Sequence, residues 1–182
     1  VILTTDAIPI AWYETVVESE EDIWWHNAQY LDETELARER AFWPALIVAL
    51  RDRQVPLEAI LSYQLRNEFV FHPGLPPLNQ SSGIVITADG HSYDMSRLEE
   101  KQRMVDEALA HWATEMRAAI RQSDSDALVS IGMFADDYFV IPAQAAIFDS
   151  ELDFVDVHMY PEPEKPMAYY VSFFDLATPR AK

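Results

Sequence analysis

The chain has 182 residues and is nearly half apolar, with five Trp, eight Tyr and nine Phe. That is enough for one domain with a sizeable core, and it excludes a disordered chain. A formal net charge of −18 repels nucleic acid and anionic membranes but is compatible with a neutral substrate such as a sugar.

The absence of Cys excludes a disulfide scaffold and thiol chemistry but does not settle the compartment, for which secretion is weakly favoured over the cytoplasm on other grounds. No run of about 18 apolar residues occurs, so no membrane span is expected. The apolar start VILTTDAIPI has no basic flank or cleavage site of a signal peptide, and it lacks an initiator Met.

Val1 to Thr5 is β-branched and predicts a buried strand ending at Asp6. A loop from Ala11 to Leu31 follows, rich in acids and aromatics: Trp12, Tyr13, Trp24, Trp25, His26 and Tyr30. It is either a lid packed back by its own rings or a platform on which sugar rings stack. Asp32 with Glu35 predicts a helix N-terminus, and apolar positions continue through Trp43 and Ile47. Pro44 predicts either a kink or the start of a second helix.

The stretch ILSYQLRNEF, Ile60 to Phe69, predicts the next strand and closes on Asn67-Glu68. A carboxylate at a strand's end can hold a proton for a leaving group, or merely cap the following segment. A long excursion to Asp94 contains GIVITADGHSYDM, a hairpin expected to turn through a type I′ Asp89-Gly90. Ser96 with Glu99 predicts the start of a helix whose apolar positions run from Leu98 through Trp112 to Ile120. Ala127 to Phe134 and Leu152 to Tyr160 predict two further strands. In the last, Val155, Val157 and Met159 share one face; Phe154, Asp156, His158 and Tyr160 share the other.

Repeated βα units imply a parallel sheet with right-handed crossovers. With four Gly there is no nucleotide-binding loop, and no HExxH or clustered His set suggests a metal. Neither a metal nor a cofactor is expected.

Three stretches together resemble the cellulase and mannanase type of glycoside hydrolase, the family 5 (β/α)8-barrel enzymes. ILSYQLRNEF resembles the fourth barrel strand, DALVSIGMF the fifth and LDFVDVHMYP the sixth, with its His-x-Tyr. PPLNQSSGIVITADGHSYDM resembles an excursion found after strand four in some members.

The resemblance implies a TIM-type parallel (β/α) barrel, of which this single domain segment covers about four βα units, strands three to six. It implies retaining hydrolysis of a β-linked polysaccharide or oligosaccharide, with Glu68 as general acid/base. Asn67 would hold the substrate hydroxyl, and His158 and Tyr160 would orient substrate and nucleophile. Asp6, Trp24, Trp25 and His26 are further candidate substrate contacts. The nucleophile, a second Glu, is expected beyond Lys182, and Glu162 and Glu164 follow strand six too closely to replace it. The expected partner is a carbohydrate, with self-association or the remaining barrel segments covering the open sheet. A non-catalytic sugar-binding domain is the competing expectation.

Overall fold

A computed structural model of the chain describes residues 1–6, 26–134, 151–158, 160 and 162–171. Four strands form one parallel sheet: β1 (Ile2–Thr4), β2 (Ser62–Gln64), β5 (Leu128–Phe134) and β6 (Phe154–His158), in the order β1-β2-β5-β6. Each strand therefore pairs with the next one of this sheet along the chain, as in a singly wound α/β fold. Among the described residues the sheet does not close into a barrel, and β1 and β6 are its edges. The strands are shorter than the apolar runs that announce them. The first is not buried as expected: as an edge strand it leaves Ile2 40% exposed.

Helices α1 (Ala28–Leu31), α2 (Glu33–Asp52) and α3 (Leu98–Ser123) complete this layer. Asp32 caps α2 as expected, its Oδ1 accepting from the backbone N–H of Thr34 at 2.8 Å and of Glu35 at 3.3 Å. Pro44 lies inside α2 and starts no second helix. At α3 the expected cap fails. Arg97 is the N-cap, without a side-chain bond, because Ser96 is taken by Asp94, whose Oδ1 accepts from its backbone N–H and its hydroxyl. Leu98 is consequently exposed, and the buried stripe begins at Met104 and Val105.

The core lies between the helices and one face of the sheet. Tyr63, Leu65, Val129, Ile131 and Met133 pack there with Trp43, Leu109, Trp112 and Met116; Val155 and Val157 join them as the alternation in β6 predicts. The other face is polar where it is buried: Ser62, Gln64 and Ser130 are 3% exposed or less.

The excursion after β2 carries the hairpin β3 (Ile84–Ile86) and β4 (Ser92–Asp94), paired antiparallel. Its turn differs from expectation. Gly90 alone has positive φ, at 81°, the Gly90 N–H donates to Thr87 O, and the Thr87 N–H donates to His91 O. This is a three-residue loop with glycine in the left-handed position, whereas type I′ would need positive φ at two residues. Buried Asn27 ties the start of the excursion to α1. Its Nδ2 donates to the carbonyls of His72 and Pro76, and its Oδ1 accepts from the His72 N–H.

Asp153 anchors β6. Its carboxylate accepts from the Val129 N–H at 2.8 Å, from Arg117 at 3.2 Å and from Arg121 at 3.0 Å. Burial alone would raise its pKa, but these donors outweigh burial and hold it below the usual carboxylate range. A depressed folded value means the contribution is fully present above the unfolded value and fades as pH falls through the folded one. Asp153→Asn should therefore cost about 1–2 kcal/mol near neutral pH. In urea titrations the gap from the parent should close as pH drops below about 3.9. A gap that stays constant down to pH 2 would refute this ionic role.

Candidate functional site

The sheet's C-terminal edge carries the site, and a bulge makes it. Gln64 is in register with Ser130, yet Phe69 bridges Met133. Five steps along one chain thus match three along the other, so two extra residues are accommodated at positions 65 to 68. Gly132 makes room for them: its N–H donates to Arg66 O at 2.8 Å and its carbonyl accepts from the Phe69 N–H at 3.2 Å. A Cβ at position 132 would stand 1.6 Å from Asn67 O. Bulges re-aim side chains at strand ends, and this one re-aims Arg66. Strict alternation would put Arg66 beside Ser62 and Gln64, but its guanidinium lies on the helix side. Glu68, two residues on, reaches over the sheet's other face to β6.

Two side chains meet on one oxygen of Glu68. His158 Nδ1 lies 3.0 Å from Oε1, and the Tyr160 hydroxyl donates to the same atom at 2.5 Å. The bond to the Glu68 carboxylate also raises the Tyr160 pKa, which keeps the hydroxyl a donor. Oε2 makes no hydrogen bond to the described residues. Glu68 and His158 are mostly buried, with side chains 16% and 18% exposed.

Behind them runs a polar row. His158 Nε2 lies 3.4 Å from Asp156 Oδ2, which accepts from Gln64 Nε2 at 3.1 Å; below, the hydroxyls of Ser62 and Ser130 are 2.8 Å apart. Both ring nitrogens of His158 thus face carboxylate oxygens, so a doubly protonated ring would serve both and a neutral one only one. The arrangement is a carboxylate with one oxygen pinned and the other without a hydrogen bond among the described residues, backed by an imidazole and a phenol. It can exchange a proton through Oε2 or grip a hydroxyl group.

The structure brings together Glu68, His158 and Tyr160 as the sequence suggests, but it directs both of the latter to Glu68 itself. Asn67 is half-buried at the same edge; its N–H donates to Thr5 O at 2.7 Å, while its carboxamide makes no hydrogen bond to the described residues. Asp6 follows Thr5 directly and is exposed at that edge. His26 lines a different pocket, with Leu31, Asp32, Pro76 and Val85. Trp24 and Trp25 lie outside the described residues. Glu162 is engaged elsewhere, its N–H donating to the Tyr170 hydroxyl and its carboxylate 3.3 Å from Lys165 Nζ.

Two features escaped the sequence reading. Asp156 and Gln64 were visible only as alternating polar residues in strands. On the helix side, Arg66 pairs with Glu39 of α2 at 2.6 and 2.8 Å, Gln29 Oε1 accepts from its Nη2 at 3.0 Å, and Trp112 Nε1 donates to Glu39 Oε2 at 3.0 Å. The signal was a Glu in the apolar stripe of α2, between Leu36 and Trp43. Among the described residues, Asp89, His91 and Glu107 also form a group able to hold a metal ion, far in sequence from Glu68. No family model, no curated protein and no solved structure matches the chain.

Proposed function

We propose that the chain supplies the acid/base side of a retaining β-glycosidase site, acting on a cellulose- or mannan-like β-linked glycan. The supporting observation is Glu68 on a bulged strand end with Oε1 pinned by His158 and Tyr160 and Oε2 without a hydrogen bond among the described residues. A general acid needs a carboxyl group held in one orientation, with the proton-bearing oxygen turned to the glycosidic oxygen. Fixing Oε1 leaves Oε2 for that task. Asn67 beside it would hydrogen-bond a sugar hydroxyl, and Asp6 from the neighbouring strand end would extend the contact.

Retention requires a second carboxyl group about 5–5.5 Å from the first. Asp156 Oδ2 lies against the other ring nitrogen of His158, and by the family resemblance the nucleophile would be a Glu on a seventh strand.

In the protein carrying this strand, Glu68→Gln should lower turnover of an unactivated β-glucan or β-mannan by about 10²–10⁴-fold. An aryl glycoside with a good leaving group should lose less in the first step, since it needs little protonation. Near-normal turnover of the unactivated polymer by the variant would refute the assignment. One observation favours a second reading, that of a sugar-binding domain without cleavage: two side chains on one oxygen also suit a carboxylate that only accepts hydroxyl groups. Saturable binding of oligosaccharides, lost in Glu68→Gln, with no hydrolysis by the intact protein would select it.

A further inference from the structure

On the excursion, Asp89 and His91 of the hairpin face Glu107 of α3. His91 Nδ1 lies 3.3 Å from Asp89 Oδ2 and 3.2 Å from Glu107 Oε2, and all three atoms fall within 4.8 Å of one another. Atoms bound about 2.0–2.2 Å from one zinc ion in tetrahedral geometry stand about 3.3–3.6 Å apart. The two measured edges are close to that spacing.

The carboxylates are oriented from outside, as metal ligands commonly are. Asp89 Oδ1 accepts from the Thr87 hydroxyl at 2.6 Å and from the His91 N–H at 3.0 Å, which turns Oδ2 toward the imidazole. Glu107 Oε2 accepts from the Tyr93 hydroxyl at 2.7 Å. Tyr93 is itself buried. A second imidazole is close by. His111 sits one turn after Glu107 on α3, four residues on and so on the same face.

We infer that Asp89, His91 and Glu107 form a binding site for a divalent transition-metal ion, zinc above all, that pins the hairpin to α3. One imidazole and two carboxylates suit zinc better than calcium or magnesium, which prefer all-oxygen sets. The hairpin follows a long excursion, runs into α3 three residues after β4 and exposes Ile84 and Ile86. A metal staple between its loop and a 26-residue helix would hold it in place. The site is independent of the glycosidase reading and fails or stands without it.

The competing state is an imidazolium shared by two carboxylates with no ion, and titration separates the two. Calorimetric addition of zinc chloride to the metal-free chain should show one saturable site and raise the thermal midpoint by several degrees at saturation. His91→Ala and Glu107→Gln should each weaken binding by about tenfold or more. His91 is 63% exposed and Glu107 40%, so both variants should fold, which their zinc-free melting checks. With 31 Asp and Glu on the chain, weak binding elsewhere is the control, and it should survive in both variants. In the unaltered chain, one equivalent of zinc should shift the His91 ring signals in a long-range ¹H–¹⁵N spectrum whatever the variants do. No saturable binding, unmoved His91 signals, or equal affinity in both variants would overturn the site.

Discussion

Arg66→Ala should destabilise the fold by about 3–5 kcal/mol, the usual result of leaving one member of a buried ion pair alone. Arg66 is 1% exposed and Glu39 is fully buried, so the carboxylate left behind has no water to turn to. It would keep only the Trp112 indole N–H as a donor from this group, while Gln29 Oε1 would lose both guanidinium bonds. The guanidinium also lies 5.1 Å from the Trp112 ring and 5.7 Å from that of Tyr30, so packing is lost along with charge. Urea denaturation measures the loss directly. The double variant Arg66→Met with Glu39→Leu removes both charges at similar volume and should recover most of the stability. If the double variant were no better than Arg66→Ala, the cost would lie in packing and not in a stranded charge.

Gly132→Ala should be nearly as damaging, by about 3 kcal/mol or more, for a steric reason. The added Cβ would meet backbone, Asn67 O at 1.6 Å and Asn67 C at 2.6 Å, and neither can swing aside as a side-chain end would. Relief requires the strand after Leu65 to lift off β5, breaking the bonds between Gly132 and its neighbours Arg66 and Phe69. Glu68 would move with that strand. Any oligosaccharide binding should therefore fall more than the folded fraction does, measured below the melting transition. Gly90→Ala is the comparison. Its Cβ would meet nothing within 4 Å, so only the positive φ of 81° resists, at about 1 kcal/mol. Equal effects at the two positions would show that the close approach at Gly132 has no energetic weight.

Much of this was legible in residue patterns, and the misses have physical causes. The alternation of β6 placed Val155 and Val157 toward the helices and Asp156 and His158 away from them, because period two leaves no other choice once one face is apolar. The stripe on α3 likewise foretold its buried face from Val105 onward. Asn67-Glu68 was singled out from its place in an apolar run; in the structure the pair lies past Gln64, in the bulge before the Phe69–Met133 bridge.

Three features were not legible. Alternation through Gln64 misplaces Arg66, since two extra residues cancel the rule, and their only trace is a glycine on another strand. The cap of α3 was misjudged at Ser96 because Asp94 competes for its groups. The Asp89, His91 and Glu107 group was passed over because contiguous patterns miss ligands that a hairpin and a helix contribute separately.

The strand order carries an entropic consequence for the site. Registers in the parallel sheet join residues 60 apart between β1 and β2, 66 apart between β2 and β5, and 24 apart between β5 and β6. For flexible loops, closing the 66-residue gap costs about 0.9 kcal/mol more than closing the 24-residue one. The contact between Glu68 and His158 spans 90 residues, longer than any of these registers. Made alone it would bear the greatest closure cost of the set. Once β2, β5 and β6 are paired, most of that chain entropy is already gone, and carboxylate and imidazole face each other across a sheet that backbone bonds hold together.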